Sequence, residues 1–385
     1  MATPVSIITL GSFSPLGSTP QKVWQTYKTK ASCIKTVSLG GNEVPIAALP
    51  HYLTDEVEAL RQSAIHYKNL DNSVLYAILA ARNTLQAAGV QAGNTFGVNI
   101  GSSRGATGLF EGYFADFLKT GKTGVQASPA TTLGNISSWV AQDLKTSGPD
   151  ISHSITCSTA MHAVLNGIAW LNAGMADAFL VGGSEAPLTH FTIAQMQAMK
   201  IYSRQKNPFY CRALDFEKTE NTMVLGEGAS MALLKPGRVA NAIAYIEGYG
   251  YATEILKHSV SISEEAICLQ KSMEMALKDI NLSEVDAVVM HAPGTIKGDT
   301  SEFAAIKNVF GAHKPLLTTN KWITGHTFGA SGLLSLEFAL LMLQHNEFIQ
   351  SPFYPQQQHS SLKKILVNAV GFGGNAVSIL VTKAI

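Results

Sequence analysis

Charge is scarce in this chain: Asp, Glu, Lys and Arg make up 14% of 385 residues, against about 25% in an average soluble protein. So small a charged fraction implies a small surface relative to volume, or a surface shared with a partner. The 28 basic and 27 acidic residues nearly cancel, and no basic run or tail occurs. That leaves a nucleic-acid binder without its electrostatic footprint. Cysteine is sparse as well. Cys33, Cys157, Cys211 and Cys268 are too few and too scattered for a disulfide framework or a zinc cluster, which fits a reducing cytoplasm. No cationic stretch stands at the N-terminus, so no signal peptide is expected. A long uncharged run, Cys157 to Ala176, is interrupted by His162, Asn166, Gly167, Asn172 and Gly174 and ended by Asp177. It reads as a helix buried in protein rather than a membrane span.

Cys157 opens that run, in Ile155-Thr156-Cys157-Ser158-Thr159-Ala160. A helix N-terminus presents unpaired N–H groups and a partial positive charge, and both favour a thiolate. A free thiol with a pKa of roughly 8.5 is only about 3% ionised at pH 7, and such surroundings lower that value. Cys157 is therefore the candidate nucleophile, expected as an anion.

The chain repeats one grammar twice. A periodic helix (Ser73 through Leu85) precedes the strand Phe96–Gly101, and a second (Ala266 through Leu277) precedes the strand Val285–Met290. Each half then has an apolar helix opening on small residues, one after Cys157 and one from Gly329 to Leu343 with Glu337 its only charge. Each half closes with a Gly-rich entry to a strand, at Gly226–Leu234 and at Gly371–Val381. Helices alternating with short apolar strands indicate an α/β fold with sheets buried on both faces. The expected halves are 1–237 and 238–385, meeting near Pro236-Gly237, with 102–150 as a Gly-, Thr- and Ser-rich insertion carrying Phe110, Tyr113, Phe114 and Phe117.

Three segments of the second half carry chemistry. His291 ends the strand Val285–Met290, where open α/β sheets place ligands. His326 lies in a Gly-flanked turn before the second apolar helix. Phe372 stands in Gly371-Phe372-Gly373-Gly374, whose glycines let backbone N–H groups point at a substrate oxygen.

Taken together, Thr-Cys-Ser-Thr-Ala at 156–160, Gly-Gly-Ser-Glu-Ala at 182–186 and Leu-Gly-Glu-Gly-Ala at 225–229 form a pattern with His291-x-x-Gly294-Thr295, Gly298-Asp299 and Glu302. Asn320-Lys321, Gly325-His326 and Gly371–Gly374 complete it. In order and spacing this resembles the β-ketoacyl-acyl-carrier-protein synthases, condensing enzymes of fatty-acid and type II polyketide synthesis. The resemblance implies the thiolase fold, a duplicated five-layered αβαβα architecture, and a Cys-His-His enzyme. By it, Cys157 takes an acyl chain from a phosphopantetheine thioester, and its N–H and that of Phe372 form the oxyanion hole. His291 and His326 stabilise the enolate left when a malonyl thioester loses CO₂; which of them attends the carboxylate stays open. Lys321 is implied to orient a histidine, Glu302 to support the site, and Thr295, Gly373 and Gly374 to hold substrate. No metal or organic cofactor is implied. The implied partners are an acyl carrier protein and a second ketosynthase-like chain, as homodimer or as heterodimer with a chain-length subunit. Arg61 and Lys68 are candidates for docking the acidic carrier.

Two positions depart from the family pattern. Ala292-Pro293 stands where Gly-Thr is usual, which removes one hydroxyl from the pantetheine tunnel, and Gly374-Asn375-Ala376 stands where Gly-Gly-Thr-Asn is usual. These suggest a specialised system, of the polyketide or aryl polyene kind. A thiolase is disfavoured because no cysteine follows Cys268, and the initiating condensing enzymes because they have asparagine where His326 stands. The remaining alternative is a non-catalytic chain-length subunit, which would lack the nucleophile. Cys33, Cys211 and Cys268 read as packing residues, as do His153 and His162. The other histidines, His51, His66, His190, His258, His313, His345 and His359, read as solvated or packed.

Overall fold

A computed structural model describes residues 4–91, 93–133, 135–206, 208–256, 262–355 and 361–384. His258 and His359 lie outside them. Ten strands build two five-stranded sheets. The first contains β1 (Val5–Phe13), β2 (Gly97–Gly101), β3 (Asp150–Ile151), β4 (Phe179–Glu185) and β5 (Gly228–Pro236). The second contains β6 (Ala244–Thr253), β7 (Ala287–Val289), β8 (Leu316–Thr318), β9 (Lys364–Gly371) and β10 (Asn375–Lys383). In space the first sheet runs β1-β5-β4-β2-β3 and the second β6-β10-β9-β7-β8. The order is the same in both, and so are the pairings. In each, the second strand lies parallel to the third and fourth, while the fifth is antiparallel to the fourth and first. One topology used twice is the signature of a duplicated fold.

Helices α1 (Asn72–Ala87) and α3 (Asn135–Leu144) cover the outer face of the first sheet, and α5 (Ile267–Ala276) and α6 (Ile296–Phe310) that of the second. Between them, with α2 assigned to Thr107–Thr120, stand α4 (Thr159–Asn172) and α7 (Ser331–His345), packed on each other and on the inner faces of both sheets. These are the five layers. On α7 every residue from Ser331 to Leu343 is buried, because sheet and helix meet it on all sides. Small residues set the spacing: a Cβ on Gly332 would lie 2.4 Å from Met161 Cγ, and one on Gly167 would lie 2.6 Å from Val181.

Residues 102–150 are more than an insertion. α3 buries Ile136, Val140 and Leu144 in the outer core, and Asp150–Ile151 is the third strand of the first sheet. The projecting part is α2, which buries only Thr107 and leaves Phe110, Phe114, Phe117 and Leu118 exposed. Two-residue strands carry no readable periodicity, which hides β3 in the sequence. Among the described residues no helix is long and apolar enough to cross a membrane.

Candidate active site

Six strand exits converge between the sheets. The second strands lead to Arg104 and His291, the third strands to Cys157 and His326, and the fourth strands to Glu185 and Phe372. A cavity of about 260 Å³ is lined by Cys157, His291, His326 and Phe372, with Thr295 and Phe328 among its other walls.

Cys157 is presented on a strained turn. Thr156 has φ 46°, a left-handed value that a β-branched residue seldom adopts. The turn is held by Thr159, whose hydroxyl donates to the Thr156 carbonyl (2.6 Å) and accepts from the Ile155 N–H (2.9 Å). The Thr156 hydroxyl donates to the Phe372 carbonyl (3.2 Å), tying the Cys157 turn to the Phe372 turn. That closeness requires glycine at 371, where a Cβ would stand 1.9 Å from Thr156 Oγ1. The N–H groups of Phe372 and of Cys157 itself both point at the sulfur.

The sulfur is not held as an anion. Burial, then the nearby Glu185 carboxyl, push the thiol up to about 12, outweighing Lys321 and the two N–H groups. Position ahead of a helix is not enough, because the desolvation of a buried thiolate exceeds what the helix end returns. The resting Cys157 side chain is a thiol.

His291 and His326 face each other edge to face with centroids 5.1 Å apart. Both are neutral at physiological pH: burial and the Lys321 charge bring His326 down to about 3, and burial, His326 and Lys321 lower His291 well below its usual value. Nδ1 of each ring is buried without a partner among the described residues. Glu302 on α6 accepts the N–H groups of His291 (2.9 Å) and Ala292 (2.8 Å), and it is braced by Asn368 Nδ2 (3.1 Å). Burial raises its carboxyl to about 7. Asp299 steadies the next stretch, accepting from Gly294 N–H (3.0 Å) and from the buried Lys218 ammonium (2.8 Å). His326 is fixed through its backbone, donating to the Val224 carbonyl (2.7 Å).

Lys321 corrects one expectation. Its ammonium donates to Asn320 Oδ1 and Ser335 Oγ, each at 3.2 Å, and not to an imidazole. It acts on the histidines through charge; burial lowers its own pKa to about 8. Thr295 lines the cavity while capping α6 at Gly298 N–H (3.1 Å). Gly373 and Gly374 do not line it; with φ 92° and 70° they shape the β9–β10 turn that aims the Phe372 N–H. Pro293, at the departure from the family pattern, is a cavity wall. Arg61 is spent inside the chain, donating to the Leu70 carbonyl (2.7 Å), to Glu58 and to Asn72, so it pins the approach to α1; Lys68 is exposed. His162 and His153 bond the backbone carbonyls of Ser158 and Thr159.

Arg104 escaped the sequence reading, and Glu185 entered it only within the Gly-Gly-Ser-Glu-Ala pattern, with no role of its own. Glu185 accepts N–H groups from Ser103 and Gly329, with Oε2 unpartnered and its carboxyl raised by burial to about 7. A lone carboxylate closing the apolar strand Phe179–Glu185 was the available signal.

Residues 2–240 match the model of the β-ketoacyl synthase N-terminal domain, and residues 243–352 that of the C-terminal domain. The chain belongs to the β-ketoacyl synthase family. By class it is an acyltransferase. Among curated relatives, a 3-oxoacyl-[acyl-carrier-protein] synthase 2 of Staphylococcus aureus is 27% identical over 408 aligned positions, covering 97% of each chain. Nodulation protein E of Rhizobium meliloti is 28% identical, covering 88% of this chain and 86% of that protein. Among solved structures, the ishigamide ketosynthase/chain length factor superposes with a TM-score of 0.86 at 19% identity, and a β-ketoacyl synthase from Burkholderia phymatum with 0.85 at 21%, each covering both chains fully. At such identities these two establish the thiolase-like fold and nothing more.

Proposed function

We propose that this synthase is a catalytic condensing enzyme that joins an acyl chain held on Cys157 to the two-carbon unit of a malonyl-acyl-carrier thioester. The observation that carries the reading is one cavity lined by a thiol flanked by two N–H donors and by two neutral imidazoles. In the first step the Cys157 sulfur attacks the acyl thioester carbonyl, its new S–C bond forms, and the bond from that carbon to the carrier sulfur breaks. The thiol proton leaves with the carrier sulfur, and the N–H groups of Cys157 and Phe372 hold the tetrahedral oxyanion. In the second step the malonyl C–C bond breaks, CO₂ departs, and its electron pair becomes an enolate. His291 and His326 suit this step because a neutral imidazole can donate N–H to the enolate oxygen. The enolate carbon then attacks the acyl-cysteine carbonyl, the Cys157 S–C bond breaks, and the departing sulfur takes a proton from water. The scheme uses no metal or organic cofactor; the acyl groups arrive on phosphopantetheine. The chain is a component of fatty-acid or type II polyketide elongation, the aryl polyene kind included.

For partners, the reading takes an acyl carrier protein and a second ketosynthase-like chain, either a copy or a chain-length factor. Related ketosynthases are recorded bound to an acyl-carrier protein and to a chain length factor. The exposed aromatic face of α2 and the edge strand β3 are surfaces such a mate would cover. The division into halves at 237/238 fits the two sheets. Intact-mass measurement after incubation with an acyl-carrier thioester tests the assignment: wild type gains one acyl group, and Cys157→Ala gains none. A wild-type protein that stays unmodified would instead favour a chain-length subunit.

A further inference from the structure

Arg104 occupies, in the first half, the exit that His291 occupies in the second. It leaves the end of β2 as His291 leaves the end of β7. Its Nη2 donates to Gln195 Oε1 on the helix His190–Ala198. Its Nε–H is buried and meets no acceptor among the described residues. An unpaired buried donor on a cation is costly and calls for an acceptor. The guanidinium carbon stands 5.7 Å from the centroid of Phe328, and Phe328 is a wall of the Cys157 cavity. Phe328 is itself held at φ 41°, a left-handed value that is strained for an aromatic residue and that clusters at functional sites. Phe328, Met223 and Met199 belong to one apolar cluster and line the cavity, as do Thr295, Asn221 and Lys297. Phe328 thus borders both the cavity and a cation that does not itself line it.

We propose that Arg104, supported by Gln195, recognises the far end of the acyl chain carried on Cys157, and that the preferred chain bears an acceptor oxygen there, a keto or carboxylate group. The proposal rests on the reading of Cys157 as acyl carrier. The methylene part of the chain lies against Met199, Met223 and Phe328, and its oxygen passes the Phe328 ring to meet the free N–H. A saturated alkyl end leaves the Nε–H without an acceptor. A site built to bond a polar group discriminates strongly against the analogue that lacks it.

Loading of the full-length protein with pantetheine thioesters of equal chain length tests this: one saturated, one keto-bearing, one carboxylate-ended. Rates of acyl-Cys157 formation are read by intact mass. Wild type is expected to load at least one oxygenated chain about tenfold or more faster than the saturated chain. Arg104→Met should bring that ratio to within about twofold, and Gln195→Leu should move it in the same direction. The proposal is overturned if wild type loads all three alike or favours the saturated chain, or if Arg104→Met keeps the wild-type ratio. Should Arg104→Met fail to fold, the wild-type ratio and Gln195→Leu still decide. Loading without discrimination strikes only the proposal. No adduct with any thioester strikes the acyl-carrier reading and the proposal with it.

Discussion

The third strands of the two sheets lead into the same cavity, yet one delivers a sulfur and the other an imidazole. Cys157 and His326 each stand just ahead of a central buried helix, in sheets with identical strand order. The same holds at the fourth strands, where one half ends in Glu185 and the other in the backbone donor Phe372. Duplication supplied two equivalent sets of exits, and divergence gave them different tasks. On this account the first half carries the acyl chain and the second makes the carbanion, with Phe372 crossing over to serve the sulfur.

The sharpest way to break the comparison is to remove one half's chemistry. His291→Ala and His326→Ala should each slow malonyl decarboxylation by about 10²–10⁴-fold, measured as CO₂ release, while acyl loading of Cys157 changes far less. A comparable loss in loading would dissolve the division of labour. Next in size, Gly371→Ala drives a methyl group toward Thr156 Oγ1, 1.9 Å away before relaxation. The shift misaims the Phe372 N–H, so acylation should fall by about 10²–10³-fold, the effect of losing one oxyanion donor. Unchanged acylation kinetics would show that this donor does not act.

Stability against pH separates the halves more gently. His326, with a folded-state pKa of about 3, contributes stability that is present above the unfolded value of about 6.5 and is lost as pH falls through the interval. Glu185, raised to about 7, contributes stability present below the unfolded value of about 4.3 and lost as pH rises through about 7. Melting temperature should therefore fall less on acidification in His326→Asn than in wild type. Glu185→Gln should gain on wild type as pH rises from about 5 to about 8. Parallel profiles would contradict the burial assigned to both groups. The smallest effect concerns Arg61: its replacement by Ala should cost about 1 kcal/mol of stability through the lost bond to Leu70 and leave carrier affinity unchanged. A large loss of affinity, read by titration with carrier protein, would return it to the docking surface.

Much of this was legible in the chain. The apolar strand Val285–Met290 marked where His291 leaves its sheet, whereas His326 stood out by its Gly-flanked turn ahead of a buried helix and Phe372 by its place among glycines at a strand entry. The buried helices announced themselves by their lack of charge. What stayed hidden depended on tertiary surroundings. The state of the sulfur is set by how deeply Cys157 is buried and by Glu185, a residue far from it in sequence. Lys321 reaches Asn320 and Ser335 rather than an imidazole, a choice no spacing encodes. Arg61 looked like a surface cation because nothing local shows that the Leu70 carbonyl turns back to meet it.

The most direct measurement takes the double variant His291→Ala/His326→Ala and follows two signals in one reaction: acyl mass on Cys157 and CO₂ from malonyl-carrier protein. The account predicts that the acyl group still loads and that CO₂ release drops to background. A double variant that releases CO₂ at the wild-type rate would contradict it.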